Sequence, residues 1–151
     1  MLYPHLLALH NTIRWIVLAA GLIAVAVAGS GWNGKKAVRP TFRKWTIIFV
    51  VAMDLQFLLG LILFVAVSPI TQIAFQNMAA AMKEHELRFF TVEHTTYMLL
   101  AVISAHVGAV LSRKGRTDRA KYRGATIAYA VSLLLILAGI PWWRPLLRFA
   151  G

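Results

Sequence analysis

The chain has 151 residues, 60% of them hydrophobic, with a mean hydropathy of +0.70 and a formal net charge of +11. That is enough for a single domain, 1–151, far more apolar than an ordinary water-soluble one, and its Lys and Arg residues fall in short blocks between long apolar runs, which is membrane patterning and argues against a nucleic-acid partner. No cysteine is present, so disulfides, Cys-ligated zinc, iron–sulfur clusters and thiol nucleophiles are excluded.

Four apolar runs follow in chain order, at about 12–29, 45–67, 90–111 and 124–142. Each approaches the roughly 20 residues that cross a bilayer. Backbone groups find no water in lipid, so each run is predicted to be a helix. The connections at 30–44 and 112–123 are short, which makes neighbouring helices antiparallel. The predicted fold is all-α, a polytopic up-down-up-down bundle of four transmembrane helices. The first run lacks a basic leader and a cleavage site, so it is expected to be retained.

Charge sets the expected orientation. One connection carries Lys35, Lys36, Arg39, Arg43 and Lys44, and the other Arg113, Lys114, Arg116, Arg119, Lys121 and Arg123. The opposite end has Lys83, Arg88, Arg144, Arg148 and Arg14. The positive-inside rule places both basic connections in the cytoplasm and both termini outside. The same blocks suit contact with anionic lipid.

The connection 68–89 is longer, with Ile70, Ile73, Phe75, Met78 and Met82 before a charged end. It is predicted to lie at the membrane interface. Met78, Met82 and His85 form a weak soft-metal pattern. Met at helical spacing more often packs than ligates.

Ionisable residues inside apolar spans are costly, and they point to function. His10 and Arg14 lie four residues apart, on one face of the first helix. Glu93 and His94 enter the third helix from the same end. Below His94, Ala101, Ala105 and Gly108 form a small-residue stripe that marks the packing face. His10 and His94 are therefore expected to meet inside the bundle, with Arg14 and Glu93 in the same layer.

Three readings of that layer stand. Two facing neutral imidazoles suit axial ligation of a haem b, with Trp15, Gly21, Phe90 and Tyr97 lining a slot and Arg14 beside a propionate. A bound metal ion is the second. The third is structural, an Arg14–Glu93 ion pair flanked by hydrogen-bonded histidines. His106 lies about 18 Å below His94 along the helix, too far to share its ligand.

A second layer contains Asp54, His106 and Tyr129, a candidate proton relay or a site for a quinone oxygen. Asp54 is equally read as a protonated side chain that holds one interhelical hydrogen bond. Gln56 lies about 200° around the helix from Asp54, so one of the two must face a partner protein or another protomer. No nucleophile–base pair or phosphate loop is visible.

The strings "LHNTIRWIVL", "DLQFLLGLILF", "ELRFFTVEH" and "IPW" together resemble a family of small four-helix bacterial membrane proteins, of Bacteroidota type, commonly labelled cytochrome b or cytochrome-b-like. The resemblance spans nearly the whole chain. It implies an inner-membrane haem b protein that transfers electrons to a membrane redox partner or quinone, with His10 and His94 in the matching motifs. Such relatives carry histidine where this chain has Asp54, a departure that argues against a second haem. Cytochromes b proper place two histidines on each of two helices, and the second and fourth helices here have none. The competing classes are a non-catalytic accessory or scaffold subunit and a small proton or ion pathway through Arg14, Glu93, Asp54 and His106.

Overall fold

The computed structural model describes residues 2–144, and Arg148 lies outside them. Four long helices form the bundle: α1 (Leu2–Gly29), α2 (Pro40–Ile62), α6 (His94–Lys114) and α7 (Asp118–Gly139). Three short helices, α3 (Pro69–Gln76), α4 (Met78–Ala81) and α5 (His85–Arg88), fill the long connection. The four long elements are long and apolar enough to cross a membrane, and the chain is a multi-pass membrane protein. Both described ends of the chain and the α3–α5 connection share one end of the bundle, here the termini end. The basic connections occupy the other.

The helices overrun the apolar runs. α1 begins at Leu2 rather than near residue 12, so His10 sits about 12 Å inside the helix, not at its mouth. α2 begins at Pro40, whose fixed φ and missing N–H suit a first helical position. α7 begins at Asp118, with the Thr117 hydroxyl accepting from the Ala120 N–H as an N-cap. It stops at Gly139, because Pro141 follows and has no N–H to donate back to α7.

Two single π turns interrupt this regularity, Leu63–Val67 below α2 and Phe89–Glu93 above α6. In the first, the Ser68 N–H donates to the Leu63 carbonyl at 2.8 Å, and Ser68 is extended because Pro69 follows it. In the second, the His94 N–H donates to the Phe89 carbonyl. Each inserts one residue into the helical ladder and turns the following side chains to a new face.

Around the bundle the order is α1, α2, α6, α7, with α6 packed most extensively on α7 and α1 diagonal to α6. Small residues set the spacing. Ala20, Ala24 and Ala28 on α1, Ala101 and Ala105 on α6, and Ala125 on α7 are all buried. At Gly108 a Cβ would sit 2.4 Å from the Tyr129 ring, so only glycine allows α6 and α7 to close over that tyrosine. Ser104 and Ser132 donate across the same seam, to the Ala128 and Ala101 carbonyls, each at 2.8 Å.

Candidate functional site

At the termini end the four long helices surround a central cavity, which the α3 segment helps line. Its volume is about 150 Å³ and its lining is mainly apolar. His10 and His94 enter it from diagonally opposite helices. Their ring centres are 6.3 Å apart and the ring planes cross at 70°.

The end of α7 fixes His94. The last carbonyls of a helix have no intrahelical N–H partner. Gly139 is the last residue of α7, and its carbonyl oxygen lies 2.8 Å from His94 Nδ1. A carbonyl can only accept, so Nδ1 carries the hydrogen and Nε2 of the neutral ring keeps its lone pair for a ligand. Glycine is needed here for space. A Cβ at 139 would sit 2.5 Å from Met98 Cε and 2.9 Å from Tyr97 Cβ.

α2 fixes His10. A Cβ at Gly60 would lie 3.1 Å from His10 Cε1, so the missing side chain makes room for the imidazole. One turn earlier, Gln56 Nε2 donates to the His10 carbonyl at 2.9 Å. Gln56 is buried, so it is the inward member of the Asp54/Gln56 pair. The Gln56 backbone also engages the His10 ring, and Gln56 Oε1 is buried without a hydrogen-bond partner among the described residues. Each such atom costs about 1–3 kcal/mol when left unsatisfied. Native structures keep few of them, and those few call for an explanation such as a bound group.

Among the described residues, two guanidinium groups line the cavity. Arg14 is buried one turn from His10, and its Cζ lies 5.6 Å from the Trp15 ring centre. Arg144 bonds Glu86 through two nitrogens, at 2.8 and 3.3 Å, and its Cζ lies 4.5 Å from the Phe90 ring centre. That pair latches the chain after α7 onto α5.

Several expected members lie elsewhere. Glu93 does not face Arg14. Its carboxylate accepts from Arg88 Nε at 2.8 Å, five residues back. Such a pair suits the π turn that contains Glu93, whereas ordinary helical spacing would separate the two side chains. The Arg14–Glu93 ion pair is therefore not formed. Phe90 lines the cavity, but Trp15 is exposed, Gly21 is covered by Leu133 and Phe49, and Tyr97 packs against Gly139.

The second layer is also divided. Asp54 Oδ1 and His106 Nε2 meet at 3.5 Å, but on the outer surface of α2 and α6. Tyr129 is fully buried, edge-on to Phe49 at 5.4 Å. The three do not share a face, and the relay through them is not assembled. In the connection, Met78 and Met82 are exposed and His85 packs on Trp143 at 4.8 Å, so they do not converge. No cluster of three or more His, Asp or Glu suited to a metal ion occurs among the described residues.

No known family, curated protein or solved structure matches this chain. The site therefore rests on its own geometry. Gln56, Gly60 and Gly139 are the members that sequence reasoning missed. The four-residue spacing of Gln56 and Gly60 was the available signal, since it puts both on one face of α2.

Proposed function

We propose that this protein is a cytochrome-b-like membrane electron carrier whose central cavity takes one haem b, which His10 and His94 would hold. The separation of the two imidazoles carries the reading. Two imidazoles that would hold one metal between them, each with a bond of about 2 Å and roughly 1.1 Å from nitrogen to ring centre, would have ring centres roughly 6 Å apart. The rings here are 6.3 Å apart.

The residues present fit that group. His94 is held in the tautomer that leaves Nε2 free, because its Nδ1–H donates to the Gly139 carbonyl at the rigid end of α7. Gly60 gives His10 its place. Arg14, buried one turn from His10, supplies positive charge beside the cavity. Phe57, Phe64, Phe90 and Met98 exclude water and keep the site apolar. Haem b supplies one-electron redox chemistry when bound. The resemblance noted above points the same way, and Asp54 faces outward, away from the cavity.

By the positive-inside rule the basic connections are cytoplasmic, in a bacterial inner membrane, with both termini and the cavity near the outer face. The partner in electron exchange is then a membrane redox protein or a quinone.

The test is spectroscopic. Protein purified in mild detergent from haem-replete cells should show a Soret band, with α and β bands after dithionite. His94→Ala and His10→Ala should each abolish the low-spin spectrum, and His106→Ala should leave it intact. A colourless, folded wild-type protein, or a spectrum insensitive to His94→Ala, sinks the reading.

A further inference from the structure

Midway along the membrane spans, an acid and a histidine face outward. Asp54 lies near the centre of the Pro40–Val67 span and meets His106 of α6 at 3.5 Å. The side chains are 49% and 50% exposed. His106 Nδ1 lies 3.0 Å from the Val102 carbonyl, so that nitrogen carries a hydrogen. Nε2 is therefore the nitrogen turned to the Asp54 carboxyl. The neighbours on this face are apolar: Val51 and Leu55 on α2, and Ile103, Val107 and Val110 on α6, all exposed. A shallow apolar groove runs along α6 beside His106.

Such a pair does not suit a lipid face. Ionisable groups at this depth nearly always turn toward protein or a water-filled space. The bundle had an inward position available, because Gln56 on the same helix is buried. The half-open pair instead presents a carboxyl and an imidazole side by side on one patch. A two-fold axis through that patch sets acid opposite base in both directions, closing a ring of alternating carboxylate and imidazole. A foreign helix would have to bring a matching pair of its own, whereas a second copy has one.

We propose that the outer α2–α6 face is the contact surface of a two-fold symmetric dimer of this chain, joined at mid-membrane by Asp54 and His106 of each copy. This stands independently of the haem reading, because neither residue lines the central cavity.

The chain has no cysteine of its own, so introduced cysteines report without background. Single cysteines at Ile103, Val107 and Val110, with Leu22 on α1 as the off-face control, are oxidised in native membranes. At least one α6 position should give a covalent product of twice the chain mass, and Leu22→Cys should not. On the best α6 background, Asp54→Leu and His106→Leu should each lower the cross-linked fraction about tenfold at low expression, as expected when polar contacts between apolar helices are removed. The exchange variant Asp54→His with His106→Asp keeps both groups and should restore the product. It also decides the matter where either single variant is lost from the membrane, since its failure to cross-link overturns the proposal. Equal cross-linking at Leu22, a dimer band indifferent to Asp54→Leu, or a product of another mass overturns it too.

Discussion

Gly139→Ala tests how the end of α7 builds the site. The new Cβ would sit 2.5 Å from Met98 Cε and 2.9 Å from Tyr97 Cβ. Met98 Cε is the tip of a flexible side chain and can swing away. Tyr97 Cβ is fixed to the α6 backbone, so relief there requires α6 and α7 to separate by several tenths of an ångström. Overpacking of this kind costs about 1–3 kcal/mol. Alanine recovers up to about 1 kcal/mol of helix propensity, less at a terminal helical position. The separation also stretches the 2.8 Å contact from His94 Nδ1 to the Gly139 carbonyl, whose loss adds about 1 kcal/mol. The net expectation is a loss of about 1–3 kcal/mol, or roughly 2–12 °C in the unfolding midpoint for a chain of this size. The assay is thermal unfolding in detergent, followed by circular dichroism and, where colour is present, by the Soret band. The Soret band should fall before the helical signal, because the perturbed bond orients His94. Met98→Ala added to Gly139→Ala should recover only part of the loss, since Tyr97 Cβ remains. An alanine variant as stable as wild type, with an unchanged spectrum, would refute the close α6–α7 approach and the positioning role of the Gly139 carbonyl.

Two further outcomes follow from the same structure. Cysteine at Asn33, in the basic connection, and at Gln76, at the end of α3, should react with an impermeant maleimide from opposite sides of the membrane; labelling of Asn33 from outside would reverse the orientation. Glu93→Gln should cost about 1 kcal/mol or less and leave any haem spectrum in place, because Glu93 pairs with Arg88 in a partly exposed ion pair; loss of the spectrum would return Glu93 to the cavity layer.

The sequence alone determined the class of fold. Four apolar runs with basic blocks between alternate pairs admit one economical arrangement, because lipid forces each backbone segment to satisfy itself. It also determined which face of α6 packs inward. Ala101, Ala105 and Gly108 recur at helical spacing, and all three are buried. His94 lies on the same stripe, which is why its meeting with His10 was legible before any coordinates. Helix length was less legible. α1 and α7 extend past their apolar runs through polar and charged residues, which hydropathy alone does not count as span.

Only the tertiary structure decided the rest. The reading of Glu93 assumed 3.6 residues per turn throughout, and the π turn at Phe89–Glu93 breaks that period without a recognisable sequence mark. Asp54 and Gln56 could not be sorted by pattern, since each is a polar residue in an apolar run; packing against His10 turned Gln56 inward and left Asp54 outside with His106. The carbonyl that orients His94 belongs to the backbone of a helix 45 residues away, and every residue type carries a carbonyl. Side-chain identity encodes which helices form and which stripes they bury. Which backbone atoms come free at a helix end, and what they then hold, depends on where other helices stop, and that is fixed only when the bundle closes.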